Sequence, residues 1–285
     1  MAQHPSVAVV TDSTSDLPAE VADRHGITIV PLNVHFGDEV FRDQIDITTD
    51  EFMRRMASAS RLPTTSQPSV GAFEAAFEAA AANHDEVVCV VISSRLSGTM
   101  QSAQLAAGNV RDRIHVEVVD SLSASYGLGF QALRAAELAR QGKTASEIAA
   151  RLRAEQGRYH TVFFVETLEH LRRGGRIGKA AQLVGSLLQL RPLLRIDEGQ
   201  VVPFERTRTR RRAIDALIAF AEAVGAVEEI AVLYNTTPDD ARALADRLAR
   251  ILPDRPIHIV QLGPVIDTHI GPDVLGMVVK ERIGE

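Results

Sequence analysis

The stretch VVCVVISSRLSGT, Val87–Thr99, decides the fold class. Its opening run, Val87 to Ile92, is unbroken, mostly β-branched and too short for a helix, which is how a strand buried on both faces reads. The remainder is rich in hydroxyls and glycine and opens onto the amphipathic segment Thr99–Ala107. Strand, polar loop and helix therefore follow one another without a spacer. Comparable apolar runs occur at Val7–Val10, Ile27–Val34 and Val116–Val119, separated by helical patterns at Pro18–His25, Asp50–Ser58, Gly71–Ala82 and Leu128–Arg140. Such alternation predicts an α/β unit whose mostly parallel sheet carries helices on both faces. Thr48, Thr49, Asp50 and Glu51 match a capping box, and Gly26 and Gly142 stand where left-handed helix caps belong.

Beyond a helix at Ala145–Gln156 the pattern changes. A strand is expected at Thr161–Val165, short helices at Leu168–Arg173 and Lys179–Leu188, and a hairpin of Leu193–Asp197 with Gln200–Glu205 about Glu198 and Gly199. A helix Arg210–Val224, a strand Ile230–Tyr234, a helix Asp239–Leu252 and strands Ile257–Leu262 and Leu275–Val279 complete the chain. A hairpin within an alternating pattern implies a mixed sheet. The expectation is two domains, an N-terminal α/β domain over residues 1–158 and a C-terminal mixed-sheet α/β domain over 159–285.

Composition narrows the function classes. The chain has 285 residues, 45% hydrophobic, enough for a sizeable core, and a net charge of −6 that argues against general polyanion binding. Aromatic residues are 5% of the chain and Trp is absent, so no stacking platform accompanies the basic clusters at Arg172–Arg176 and Arg206–Arg212, and nucleic acid is not an expected partner. The single Cys89 lies in a buried run, which excludes an intrachain disulfide. Nine histidines without metal-ligand spacing predict no metal. The amino terminus, MAQHPSVAVV, lacks a basic segment before a long apolar one, and no apolar run is long enough to span a bilayer, so the expected location is the cytoplasm, with transient membrane contact left open.

Three loops carry the candidate chemistry. Leu62–Ser69, LPTTSQPS, sets Thr64, Thr65, Ser66, Gln67 and Ser69 between and beside two prolines, where neither helix nor strand runs smoothly. Hydroxyls donate to an anionic oxygen without adding charge. Taken alone, the loop reads first as a turn shaped by Pro63 with Ser69 capping the next helix. Ser93–Thr99 lies at the carboxyl end of a strand and the start of a helix, where anions collect, and Ser97 followed by Gly98 lets the backbone approach an oxygen closely. Thr11–Asp16 occupies the same position after the first strand, but Asp12 and Asp16 would repel an anion, so capping is its better reading. His269 sits among apolar residues and glycines in Thr268–Pro272 and could donate to an oxyanion in either charge state. GGRIGK, Gly174–Lys179, fails phosphate-loop spacing because Arg173 replaces the first glycine and Ala180 the hydroxyl. No GxSxG nucleophile elbow occurs. Gly127, Gly129 and Ala132 fit dinucleotide spacing only loosely and read as helix packing.

Taken in order, VTDSTSDLP at Val10–Pro18, DQIDIT at Asp43–Thr48, TSQPS at Thr65–Ser69, LSGT at Leu96–Thr99, VDS at Val119–Ser121, GLG at Gly127–Gly129, RRGGRI at Arg172–Ile177, RTR at Arg208–Arg210 and HIGP at His269–Pro272 resemble the DegV family of bacterial fatty-acid-binding proteins. The resemblance implies two α/β domains and one long-chain fatty acid, buried between or within them, with its carboxylate held at the junction. It implies no cofactor and no catalytic residue of its own. It is similar in particular to the subunit that presents a fatty acid to a separate ATP-dependent fatty acid kinase for acyl phosphate formation. By this resemblance Thr65, Ser97, Gly98 and His269 hold the carboxylate, and Ser66, Arg176 and Arg208 lie behind it or face the partner and the phosphate. Pro272–Asp273 and the strongly basic Arg206–Arg212 depart from many relatives. Two other readings stay open: a stand-alone acyl or phosphate ester hydrolase or transferase using Ser97 and His269, and a lipid-sensing regulator.

Overall fold

The computed structural model describes residues 5–183 and 191–282. These form two compact units, one of Met1–Asn33 with Ser66–Gly157 and one of Val34–Thr65 with Arg158–Glu285. A contiguous division at Arg158 puts Val34–Thr65 in the first unit, whereas its contacts put it in the second. The reason is specific hydrogen bonding: the Thr49 hydroxyl donates to the Leu262 carbonyl at 2.7 Å, and the Val265 amide donates to Asp43 at 3.2 Å.

The first unit contains a four-stranded sheet in the order Ile27–Val30, Val7–Asp12, Glu86–Val91, His115–Asp120, parallel throughout. Alternation explains why its two central strands carry unbroken apolar runs. Ala8, Val10, Val87, Cys89 and Val91 face one way and pack on Phe73 and Phe77 of the helix Val70–Ala81 and on Ala103, Ala106 and Val110 of the helix Thr99–Val110. Val9, Val88 and Val90, of opposite parity, are equally buried on the side where the helices Tyr126–Arg140 and Ala145–Glu155 contact the sheet. Helix packing is also what Gly129 is for: a Cβ there would lie 2.8 Å from the Ser15 carbonyl oxygen. Cys89 is fully buried and burial pushes its thiol pKa up, so it is an unreactive core residue. Thr144 and Glu147 form a full capping box at the start of Ala145–Glu155, and Gly26 closes Ala19–His25 at φ +66°.

The second unit contains a six-stranded mixed sheet in the order Gln200–Thr207, Arg191–Asp197, Tyr159–Phe164, Leu275–Glu281, Val227–Tyr234, Ile257–Gln261. All neighbours are antiparallel except the last pair. The expected hairpin is present, and Glu198 and Gly199 both take positive φ, 46° and 78°, as a tight turn between twisted strands requires. Val162, Phe164, Leu193, Ile230, Val232, Leu275, Met277 and Val279 on one face receive Ala213, Leu217 and Ala221 of Arg210–Val224, and Ala241, Leu244 and Leu248 of Pro238–Ile251. Those helix positions recur every three or four residues, the spacing of one buried stripe.

Three expectations need correction. The run Ile27–Val34 is not one strand: it breaks at Pro31 into Ile27–Val30 and Asn33–Phe36, which belong to different sheets. Asn33–Phe36 lies centrally in a three-stranded sheet between Glu39–Arg42 and Thr64–Ser66, so the loop Leu62–Ser69 does contain a short strand. Three residues between prolines suffice there because an edge strand pairs on one side only. The helix expected at Lys179–Leu188 appears as a 3-10 turn over Gly178–Leu183, and its remainder lies outside the described residues.

Candidate functional site

In the second unit, Thr65 and His269, 204 positions apart in sequence, meet side chain to side chain with Thr65 Oγ1 2.8 Å from His269 Nε2. Thr65 is in the strand Thr64–Ser66. His269 is in the helix Pro264–Ile270, whose start is set by Gly263 and Pro264 at the first turn and whose end is set by Gly271 at φ +77°. This helix was absent from the sequence expectations; at seven residues it is too short for periodicity, and only the Gly-Pro and Gly-Pro pairs that bracket it mark its ends.

Burial, the Arg176 guanidinium and His170 push the His269 pKa down from 6.5 to about 4, so the imidazole is neutral at pH 7. Its Nδ1 is buried and has no hydrogen-bond partner among the described residues. A buried N–H without an acceptor is rarer than a buried lone pair without a donor, and a nearby cation favours the lone pair. We therefore assign the proton to Nε2, which donates to Thr65 Oγ1. The Thr65 hydroxyl proton is then directed away from the imidazole and is available to an anionic oxygen.

The glycines of RRGGRI and HIGP make room for this arrangement. A Cβ on Gly174 would overlap His269 Nδ1 and stand 3.0 Å from its Cε1. A Cβ on Gly271 would stand 2.9 Å from His170 Nε2. Arg176 is half-buried and its Nη1 donates to the Gly174 carbonyl at 2.6 Å, which holds the guanidinium on the same loop. Arg208 is exposed and pairs with no acid among the described residues. Arg210 differs: Nε donates to Asp240 at 2.6 Å, Nη1 donates to Glu166 at 3.3 Å and to the Asp273 carbonyl at 2.8 Å, and the guanidinium lies over the Phe164 ring. It ties four segments of the unit together and is structural.

In the first unit, Ser97 and Gly98 lie on the loop after Glu86–Val91, at the carboxyl end of the parallel strands. Ser97 Oγ is 2.9 Å from Thr99 Oγ1, and Gly98 rather than Ser97 is the residue that precedes the helix Thr99–Val110. The Gln67 amide packs onto Gly98 so closely that a Cβ there would lie 2.7 Å from its Nε2. Ser66 Oγ accepts a long 3.4 Å hydrogen bond from Asn33. The flanking acids hold the loops rather than line them. Asp12 accepts from the amide and hydroxyl of Thr14 and from the Ile92 amide at 2.7 Å, tying the first loop to the strand that leads to Ser97. Burial raises its pKa to about 6 in spite of those hydrogen bonds. Asp120 accepts from the Ser94 amide, and Asp16 from the Ser125 hydroxyl at 2.6 Å.

Among the described residues no group of three His, Cys, Asp or Glu side chains could hold a metal ion, and no described helix is long and apolar enough to cross a membrane.

Comparison with known proteins agrees in fold and sequence. A DegV domain-containing protein of Streptomyces coelicolor is 41% identical over 99% of this chain and 100% of its own length. A DegV family protein from Thermus thermophilus, whose structure is described as showing fatty acid binding, superimposes with a TM-score of 0.90 at 37% identity, covering 97% of this chain and 100% of that one. DegV from Bacillus subtilis, described as a fatty acid binding protein, gives a TM-score of 0.89 at 34% identity over 98% of this chain and 100% of its own. The family model described as "Uncharacterised protein, DegV family" matches residues 6–282, and the chain belongs to the DegV family.

Proposed function

We propose that this protein binds one long-chain fatty acid and presents its carboxylate to a separate ATP-dependent kinase, which forms the acyl phosphate. The observation that carries the reading is the Thr65–His269 pair: a neutral imidazole that fixes a hydroxyl as a donor, in a family whose members from T. thermophilus and B. subtilis are fatty acid binders. In this reading Thr65, Ser97 and Gly98 contact the carboxylate, His269 lies beside it and holds the Thr65 hydroxyl as a donor, Ser66 supports Thr65, and Arg176 and Arg208 face the phosphate and the partner.

The energetics are adequate. A sixteen-carbon tail contributes roughly 0.8 kcal/mol per buried methylene, about 10 kcal/mol before association costs. Hydrogen bonds to the charged head group contribute about 1.5–3 kcal/mol each, enough for two hydroxyls and a backbone amide to offset its desolvation. The partner is asked to supply ATP and magnesium, since GGRIGK lacks the spacing of a phosphate loop. Ser97 is hydrogen-bonded to Thr99 and His269 to Thr65, which favours carboxylate holding over the hydrolase alternative.

Native mass spectrometry of the purified protein tests the binding step: one fatty acid per chain is expected, and a chain that neither carries nor takes up palmitate would refute it. Acyl phosphate formation with a fatty acid kinase tests the presentation step.

A further inference from the structure

The motif DQIDIT contributes nothing to the carboxylate-holding residues, yet its first residue is buried. Asp43 is 1% exposed, whereas Gln44, Ile45 and Asp46 beside it are on the surface. It follows the strand Glu39–Arg42 and begins a fixed turn: Asp43 bridges to Ile47, Gln44 takes φ +60°, and the Asp46 carboxylate accepts from both the amide and the guanidinium of Arg42. Asp43 Oδ1 accepts the Val265 amide at 3.2 Å. Pro264 has no N–H, so Val265 offers the first amide of the helix Pro264–Ile270, one turn before His269.

We propose that Asp43 is a positioning residue for the Thr65–His269 hydrogen bond, acting through the Val265 amide. The two partners of that bond stand on separate stretches of backbone, and their spacing is set by what joins the stretches. Val34–Thr65 ends in Thr65 and is joined to the approach to the His269 helix at Asp43–Val265 and at Thr49–Leu262. At its other end the helix is held by Asn235, whose Nδ2 donates to Asp267 at 2.9 Å and to the Gly271 carbonyl at 2.7 Å. Asp43 is the only one of these anchors that places a carboxylate at the amino end of the helix, the end whose amides a carboxylate suits. Without it the first turn is free to move away from the strand that carries Thr65, and a shift of about 1 Å carries a 2.8 Å contact beyond hydrogen-bonding range.

The inference rests on the reading that Thr65 and His269 grip a carboxylate, and the test separates the two. Long-range 1H–15N NMR of the lipid-free protein reads the His269 ring directly, and calorimetry with palmitate reads binding. Asp43→Ala is expected to move the His269 Nε2 resonance away from its hydrogen-bonded position and to weaken palmitate binding about tenfold. Asp43→Asn, which keeps an acceptor oxygen, restores both. In a His269→Ala background Asp43→Ala adds less than about twofold, because the bond it positions is gone. Should Asp43→Ala fold poorly, Asp43→Glu, one methylene longer, is expected to move the same resonance. An unmoved His269 signal, or a binding loss that persists in full without His269, overturns the proposal. If the wild-type protein takes up no palmitate, the functional reading falls, while the NMR arm still decides the role of Asp43.

Discussion

Alanine at position 174 is expected to weaken ligand grip while leaving the fold intact. Gly174 has φ −72° and ψ −9°, an ordinary helical conformation that alanine adopts without strain. Its backbone therefore gains about 0.5–1 kcal/mol from the lost chain freedom of glycine. The cost is the added Cβ, which overlaps His269 Nδ1 and stands 3.0 Å from Cε1, where carbon contacts need about 3.5 Å. The imidazole must retreat by roughly 1 Å, which takes its Nε2 out of range of Thr65 Oγ1. Losing that bond removes about 1 kcal/mol, and releasing the Thr65 hydroxyl from its fixed orientation weakens one bond to a charged carboxylate by about 1.5–3 kcal/mol. The weakened carboxylate bond predicts palmitate binding weaker by roughly one to two orders of magnitude. The lost Thr65–His269 bond is offset by the backbone gain, so the melting temperature stays within a few degrees of wild type. Calorimetric titration and thermal unfolding read the two quantities. Unchanged affinity in Gly174→Ala would refute the claim that His269 acts by orienting Thr65.

Three further outcomes are expected. Thr65→Ala with Ser97→Ala weakens palmitate binding without unfolding the chain, and Thr65→Ser restores most of the loss, measured by the same titration; an unaffected double variant removes both residues from the site. Acidification should destabilise the protein through His269: its folded pKa of about 4 lies below its ordinary 6.5, so the unfolded chain binds the proton first and stability falls by up to about 1.4 kcal/mol per pH unit between those values. Asp12 works in the opposite sense, because its pKa rises from 3.8 to about 6, so His269→Gln should show a smaller acid loss than wild type in urea titrations at pH 4–6.5. Arg210→Ala should cost about 1 kcal/mol in urea unfolding because it removes the cation from Asp240 and one of the two guanidinium partners of Glu166, which keeps Arg191, whereas Arg208→Ala should leave stability unchanged and slow acyl phosphate formation by the kinase.

Much of the architecture was legible because its cause is local. The runs Val7–Val10 and Val87–Ile92 have no polar face, and only a sheet covered twice buries every position. Arg210–Val224 is a helix over the expected residues because Thr209 caps it, its Oγ1 accepting from the Arg212 amide. The loop carrying Ser97 and Gly98 was likewise placed by its position after a buried strand. What stayed hidden depends on contacts between distant residues. Pro31 splits an apolar run between two sheets, and nothing near Val34 announces that its strand joins residues beyond Arg158. Thr65 and His269 each stand out in the sequence, but the 204 positions between them, and the 222 between Asp43 and the Val265 amide it accepts, are separations that spacing cannot relate, and nothing near Gly174 announces the ring it admits.

The central claim is that Thr65 is an oriented donor to a fatty acid carboxylate. A crystal structure of the protein with palmitate tests it most directly. The account predicts a carboxylate oxygen within about 2.7 Å of Thr65 Oγ1, with His269 Nε2 still bonded to the same hydroxyl oxygen. A carboxylate bound elsewhere, or one contacting His269 with Thr65 displaced, would contradict it.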